Sequence, residues 1–188
     1  MSGTPDFLAA ALREIRARPA PSGSAAKIVA IDGPGGAGKS SLARHLAGAL
    51  DDAPILHTDD FAGWENPIAW WPELLERALK PLAAGRPARF TPADWGGERN
   101  DTVTIEPTGF VVLEGVSASR KEFRPYLTYA IWVDAPADLR LERGVARGGR
   151  DTRARWEQWM ADEDAFFARE RLRETADLVL PGDQDLWS

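Results

Sequence analysis

A glycine-rich segment between two regular elements constrains this chain more than any other feature. Residues 33–40 read Gly-Pro-Gly-Gly-Ala-Gly-Lys-Ser. The apolar run at residues 28–31 predicts a short strand before the segment, and residues 39–50 predict a helix after it. Glycines let a backbone wrap closely around an anion, and the first turn of a helix directs unpaired N–H groups towards it. The segment is therefore expected to form a phosphate-sized loop between a strand and a helix.

The spacing of this loop matches the P-loop motif G-x-x-x-x-G-K-[ST] in full. In such a loop Lys39 reaches the β- and γ-phosphates of a nucleotide, and the Ser40 hydroxyl ligates Mg²⁺. The flanking strand and helix disfavour the alternative, a glycine-rich turn without a ligand. We expect the phosphates to be bound by Gly33, Gly35, Gly36, Ala37, Gly38, Lys39, Ser40 and Ser41.

Short apolar runs alternate with helical patterns along the rest of the chain. Strands are predicted at residues 28–31, 55–58, 110–113, 129–133 and 178–180. Helices are predicted at residues 5–18, 39–50, 72–84, 137–146 and 152–175, with Asp151 as the cap of the last one. Residues 85–100 are expected to be irregular. Continuous apolar strands between helices indicate an α/β fold with a parallel sheet that is covered on both faces.

The length of 188 residues fits a single domain. We expect an N-terminal helix within residues 1–18, a linker rich in Pro, Gly and Ser at residues 19–26, and a core over residues 27–182.

Composition argues against several classes of partner. The net charge is −6, and the segment densest in arginine, residues 140–155, also contains Glu142 and Asp151. Because polyanion binding requires a basic face, we expect no nucleic-acid partner. The chain has no cysteine and no apolar run long enough to cross a bilayer. A cytoplasmic protein with no membrane partner is expected, and its oligomeric state stays open.

Acidic residues follow two of the predicted strands. Asp59 and Asp60 end the segment around the strand at residues 55–58, and Glu114 follows the strand at residues 110–113. Ligands in open parallel sheets bind beyond the carboxyl ends of the strands. Phosphoryl transfer to a hydroxyl needs a carboxylate to accept the proton and oxygen ligands around Mg²⁺. Catalysis or metal binding is favoured over helix capping for Asp59 and Glu114, whereas both interpretations stay open for Asp60.

A pair of glycines, Gly148 and Gly149, interrupts a segment that contains Arg140, Arg143, Arg147 and Arg150. One interpretation is a solvated helix whose arginines pair with Glu142 and Asp151. The other is a mobile lid near residues 143–151 that brings a guanidinium group to the transferring phosphoryl group. The upstream P-loop favours the lid, more for Arg147 and Arg150 than for Arg140.

Several motifs in the same order resemble the uridine kinase-like branch of the nucleoside kinases. They are IDGPGGAGKSSLA at residues 31–43, HTDDF at 57–61, ADW at 93–95, VVLEG at 111–115, the arginine-rich segment, and ADLVLPG at 176–182. This resemblance extends over most of the chain. It implies a P-loop NTPase fold in three layers, with a five-stranded parallel sheet and a lid over the phosphate donor.

The resemblance also implies roles for individual residues. Asp59 is the expected base for the acceptor hydroxyl, and Phe61 takes the aromatic position two residues later. Glu114 is expected near Mg²⁺ and the acceptor, so Ser40 and Glu114 are the expected metal ligands. The lid arginines of the family match Arg150 and, less closely, Arg147. Either one would stabilise charge in the transition state.

The acceptor region departs from the family pattern. Uridine kinases carry Tyr-Asp followed by an aromatic residue and then a His that reads the pyrimidine. Here the segment is Ala93-Asp94-Trp95, and no His follows His57. Trp64 and Trp95 are predicted to offer stacking surfaces for a flat ring.

The sequence as a whole indicates an ATP- and Mg²⁺-dependent kinase that moves the γ-phosphoryl group to a hydroxyl of a small, nucleoside-like acceptor. One alternative keeps the chemistry and changes the acceptor to a sugar, a vitamin precursor or an antibiotic. Another is a nucleotide-binding switch without catalysis. A GTP switch is disfavoured because no N-K-x-D sequence, which would read guanine, follows the loop.

Overall fold

Five short strands form one parallel sheet at the centre of the molecule. The computed structural model describes residues 6–63, 69–93, 101–149 and 152–182. Its strands are β1 Lys27–Asp32, β2 Ile55–His57, β3 Ala88–Phe90, β4 Val103–Ile105, β5 Phe110–Glu114, β6 Leu127–Asp134 and β7 Leu178–Pro181. The large sheet has the order β2-β5-β1-β6-β7, and each neighbouring pair is parallel. The expected five-stranded parallel sheet is therefore confirmed.

Alternate residues of the central strand β1 point to opposite faces of this sheet, and both faces are buried. Ile28 and Ala30 belong to one apolar cluster, whereas Val29 and Ile31 belong to another. A strand buried on both sides has no polar face, which is why these strands read as continuous apolar runs rather than as alternating patterns.

Helices cover the two faces and complete a three-layer fold. They are α1 Asp6–Ala17, α2 Lys39–Ala49, α3 Trp71–Leu74, α4 Lys80–Ala83, α5 Ala137–Gly148 and α6 Arg153–Glu170. Helices α1 and α2 bury Leu8 and Leu42 against the cluster of Val29 and Ile31. On the other face, α3, α4 and the turn between them bury residues that include Leu74 and Leu82. Helix α6 adds Phe166 to that side, against Trp132 of β6. The predicted P-loop NTPase fold with a sheet covered by helices is confirmed.

The helix predicted at residues 72–84 has a widened centre. A π-helical stretch, Leu75–Leu79, joins α3 to α4. Pro81 lies in the turn that follows, where it has no N–H group to donate and its ring crowds the carbonyl four residues earlier. π-Helical turns occur mostly as single-turn bulges inside α-helices, as here.

The expectation that residues 85–100 are irregular was wrong for residues 88–90. Strand β3 pairs with β4 in a separate antiparallel hairpin. Arg89 is exposed between the buried residues Ala88 and Phe90, so the alternating pattern is present but only three residues long. Proline on both sides of the strand indicated a loop and hid this pattern.

The last helix is shorter than predicted. Helix α6 ends at Glu170 rather than near Thr175, because Arg171 adopts a left-handed conformation with φ 53°. The next residue, Leu172, is buried beside Trp132 and Phe166, so packing turns the chain back towards the sheet. The predicted cap Asp151 lies outside the described residues.

Among the residues described, none of the helices is both long enough and apolar enough to cross a membrane.

Candidate active site

The glycine-rich loop lies where the chain leaves the central strand, and its backbone leaves no room for side chains at two positions. Gly33 has φ 139°, and a Cβ atom there would lie 2.2 Å from the carbonyl oxygen of Val133. Gly36 has φ 79°, and its Cβ would lie 2.7 Å from the carbonyl oxygen of Arg140. These contacts hold the loop between β6 and α5, with its glycines required by both conformation and space.

Lys39 begins helix α2 and folds back over the loop. Its side chain is buried, and Nζ donates to the carbonyl oxygen of Pro34 at 2.9 Å. The first N–H groups of α2 have no acceptor within the helix and, with the helix dipole, create a positive field at this end. The loop of Pro34 to Lys39 therefore presents backbone donors and one ammonium group to an anion, as a phosphate site requires.

Not every amide of the loop points outwards. The Ala37 amide donates to Pro34 within a turn, at 3.2 Å, and the Ala37 side chain is fully buried. The Ser41 amide donates to the carbonyl oxygen of Gly38 at 3.2 Å. Both residues were predicted to contact phosphate, and that role stays a prediction.

Ser40 and Glu114 meet beside the loop. Strands β1 and β5 pair in a register that sets Ile31 opposite Glu114, so the carboxylate reaches the start of α2. The Ser40 hydroxyl donates to Glu114 Oε1 at 3.1 Å. A hydroxyl and a carboxylate are the hard oxygen ligands that Mg²⁺ prefers, so this pair fits the expected ion. No cluster of three or more His, Cys, Asp or Glu side chains that could hold a metal occurs in the part of the chain described.

His57 holds the other oxygen of Glu114. The two residues are opposite each other on β2 and β5, and His57 Nδ1 lies 2.8 Å from Glu114 Oε2. The hydrogen bond to Glu114 raises the pKa of His57 despite its partial burial. Burial alone would raise the pKa of Glu114, but the hydrogen bond from His57 and the charge of Lys39 lower it. Glu114 therefore stays ionised and has a fixed orientation; the sequence interpretation had not linked these two residues.

Asp59 stands in a short 3₁₀ turn, Thr58–Asp60, directly after β2. The residue is exposed, which leaves the carboxylate accessible to a substrate hydroxyl. The protein around it still displaces water, and this desolvation raises the pKa of Asp59 against the opposing charge of Lys39. Gly115 packs directly against this turn, because a Cβ atom at Gly115 would lie 1.9 Å from Thr58 Oγ1.

Asp32, the last residue of β1, connects the loop to the segment after Glu114. Its Oδ1 accepts from the amides of Gly33 at 2.7 Å and Ser117 at 2.9 Å. Its Oδ2 accepts from the amide and the hydroxyl of Ser119, both at 2.7 Å. The side chain is fully buried, and burial raises its pKa although these hydrogen bonds oppose the shift. The role of Asp32 was not predicted from the sequence, in which its only signal is an acid at the end of an apolar strand.

The arginines of the proposed lid lie in different surroundings. The Arg143 Nη1 donates to the carbonyl oxygens of Gly36 at 3.2 Å and Gly182 at 2.7 Å, so it braces the loop. Arg147 is exposed, with its guanidinium 5.5 Å from the centre of the Trp156 ring. Arg140, which the sequence favoured less than Arg147 and Arg150, is buried beside the loop. Arg150 lies outside the described residues.

The acceptor side is only partly described. Phe61 is buried, and the centre of its ring lies 4.6 Å from the centre of the Phe90 ring on the β3-β4 hairpin. Trp64 and Trp95, the two predicted stacking residues, lie outside the described residues.

Two solved structures share this fold over nearly the whole chain. One, from Bacillus stearothermophilus, is described as a possible uridine kinase; it has 20% sequence identity and a TM-score of 0.68, covering 93% of this chain and 97% of that one. The other, from Silicibacter sp. TM1040, is described as a candidate fructose transport system kinase; it has 21% identity and a TM-score of 0.67, covering 93% and 98%. At these identities the likeness shows the fold alone, and that fold is the one implied by the uridine kinase-like resemblance. No family model matches the sequence, and no curated protein matches it significantly.

Replacing Asp32 by Asn should destabilise the protein strongly. One acceptor oxygen would become an NH₂ group facing buried donors, at a cost of roughly 1–3 kcal/mol for each donor left unpaired. Urea unfolding should therefore show a large loss of stability. The exposed Asp52→Asn, which makes the same chemical change in a surface turn, should stay within about 0.5 kcal/mol of the wild type. Equal stability of the two variants would contradict the anchoring role of Asp32.

Proposed function

We propose that the chain is an ATP- and Mg²⁺-dependent kinase of a small hydroxylated acceptor. The observation that carries the proposal is the convergence of three features at the carboxyl edge of one sheet. These are the loop with Lys39, the Ser40–Glu114 pair at 3.1 Å, and the exposed carboxylate of Asp59. Phosphate donors, an oxygen site for a divalent ion and a base are the parts that phosphoryl transfer to a hydroxyl needs.

The residues of the loop would bind and orient the donor. Amides of the loop and the Lys39 ammonium group would hold the phosphates, and Ser40 with Glu114 would hold Mg²⁺. When bound, Mg²⁺ neutralises charge on the phosphate oxygens. His57 would keep Glu114 ionised and correctly turned, through its contact with Oε2.

Asp59 would act on the acceptor. Its carboxylate would accept the proton of the acceptor hydroxyl as that oxygen forms a bond to the γ-phosphorus. The bond between the γ-phosphorus and the bridging oxygen breaks in the same displacement, and ADP leaves. Burial raises the pKa of Asp59 while His57 and Lys39 lower that of Glu114, so the two acids are suited to different roles.

The acceptor is proposed to be nucleoside-like, on the basis of the uridine kinase-like motifs. The two structural neighbours differ in this respect, since one is described as a possible uridine kinase and the other as a candidate fructose transport system kinase. A sugar or another small alcohol is therefore the second candidate. A nucleotide-binding switch would bind ATP and transfer nothing, which the first experiment below detects.

Asp59→Asn should lower kcat by roughly 10²–10⁴-fold with little effect on ATP binding, because it removes the base and keeps the size of the side chain. The base works only when ionised, so wild-type kcat should fall as the pH drops through the raised pKa of Asp59, above its usual 3.8. The variant should lack this acid limb. Kinetics over pH, with ATP affinity measured in parallel, would test this.

The neighbouring substitution Asp60→Asn is the matched comparison. If Asp60→Asn shows the large loss and Asp59→Asn does not, Asp60 is the base. If both variants keep wild-type rates, neither acid has this role.

Uridine should not be the best acceptor. The segment around Ala93 lacks the Tyr and the His by which the family reads a pyrimidine, and an unpaired hydrogen-bonding group costs about 1–3 kcal/mol. Steady-state kcat/KM values over nucleosides, sugars and small alcohols would rank the acceptors. A value for uridine or cytidine well above all others would refute the prediction.

A further inference from the structure

One amide of the loop is already bound to an acid from a distant part of the chain. The Gly35 N–H donates to Glu163 Oε2 of helix α6 at 2.9 Å, and 128 residues separate the two in sequence. Glu163 is only 1% exposed. Its other oxygen, Oε1, accepts from the indole N–H of Trp159, one turn earlier. A carboxylate therefore occupies a position that the loop offers to an anion.

A buried guanidinium group lies next to this carboxylate. Arg140 of α5 is 6% exposed, and its Nη1 lies 4.0 Å from Glu163 Oε2. Among the described residues, Arg140 Nε and Nη1 have no hydrogen-bond partner. Its Nη2 lies 3.5 Å from an oxygen of Asp164 on the protein surface. Buried charged donors are normally hydrogen-bonded, so unused donors here indicate a site built for an anion that reaches further than Glu163 does.

The buried environment of Glu163 disfavours the ionised form of its side chain. Burial raises the pKa of Glu163, although Lys39, the Gly35 amide and Trp159 oppose the shift. Burial of a carboxylate is costly unless its partners compensate fully, and the nearest cation is not in hydrogen-bond contact. A stronger anion that reached both the Gly35 amide and Arg140 would compete well for this position.

We propose that Glu163 is a placeholder for the terminal phosphoryl group of the donor nucleotide. In the nucleotide-free chain it binds the Gly35 amide beside Arg140, and the γ-phosphoryl group of a triphosphate displaces it. The inference rests on the proposed function and adds a residue that distinguishes triphosphate from diphosphate. A diphosphate has no group to displace Glu163, so α6 stays on the loop when ADP is bound.

Helix α6 is coupled to the loop at this point. The Trp156 ring would lie 3.2 Å from a Cβ atom at Gly35, and it packs on Gly144 of α5 so closely that a Cβ there would lie 2.6 Å away. Displacement of Glu163 would therefore change the contact of Trp156 with Gly35 and break the hydrogen bond from Trp159. Helix α6 is then the element whose contact with the loop differs between the diphosphate-bound and triphosphate-bound states.

Binding of two nucleotides to the charge-removing variant Glu163→Gln tests the proposal. Dissociation constants for Mg²⁺-ADP and for the Mg²⁺ complex of the non-hydrolysable β,γ-imido analogue of ATP would be measured by calorimetry. Asp162→Asn is the matched control, because it removes the same charge from an exposed position one residue away. Coupling between sites typically amounts to about 5–150-fold in affinity.

The proposal predicts that Glu163→Gln binds the triphosphate analogue at least about fivefold more tightly and changes ADP affinity less than about twofold. Asp162→Asn should change neither. An equal change for both nucleotides, or weaker binding of the triphosphate, would overturn the proposal, because Glu163 would then only support the loop.

A wild-type protein that binds neither nucleotide would instead refute the proposed function itself. If Glu163→Gln does not fold, the same binding measurement on Trp159→Phe tests the proposal. This variant removes the N–H group that donates to Glu163 Oε1, so it should also bind the triphosphate analogue more tightly than the wild type does. No preference for the triphosphate in that variant would overturn the proposal.

Discussion

The candidate site depends on the hydrogen bonds of one buried carboxylate. Asp32 ends the central strand, between β5 and β6, and accepts from Gly33 at the start of the loop and from Ser117 and Ser119 after β5. It therefore joins the element that would bind phosphate to the element that carries Glu114. Without it, the pairing of β1 with β5 and the packing of α2 on β5 would still connect the two, but the distance between Ser40 and Glu114 would be less well defined.

Several acidic side chains surround the loop, and the charge of a single lysine, Lys39, acts on all of them. Burial raises the pKa values of four carboxyl groups, those of Asp32, Asp59, Glu114 and Glu163, and the charge of Lys39 opposes this shift in each. Only Glu114, which also has His57 as a partner, ends with a lowered pKa. An acid-rich recess of this kind gains from a divalent cation, and a triphosphate brings one. The same balance allows the Glu163 carboxylate to accept from the Gly35 amide, at the position that we propose for the γ-phosphoryl group.

The sequence was informative wherever a short pattern determines the geometry. The loop from Gly33 to Ser40 and the parallel sheet could be predicted, because the glycine spacing and the doubly buried strands are local signals. The hairpin of β3 and β4 was missed because each strand has three residues, too few for a period to show.

Contacts between distant residues could not be predicted. Asp32, Arg140 and Glu163 act through partners on other elements, and only the folded chain brings them together. Glu163 in particular lies within a polar helix, where it cannot be distinguished from its exposed neighbours Asp162 and Asp164. Burial, rather than residue type, separates it from them.

Phosphorus NMR of the protein with Mg²⁺, ATP and a mixture of nucleosides, sugars and small alcohols tests the central claim most directly. The account predicts that the γ-phosphate signal of ATP is lost and that a phosphomonoester signal of equal intensity appears. A Lys39→Ala sample should show neither change, because its loop lacks the ammonium group that we propose to hold the β- and γ-phosphates. Inorganic phosphate as the only product, or ATP that binds tightly and stays intact with every acceptor, would contradict the assignment as a kinase.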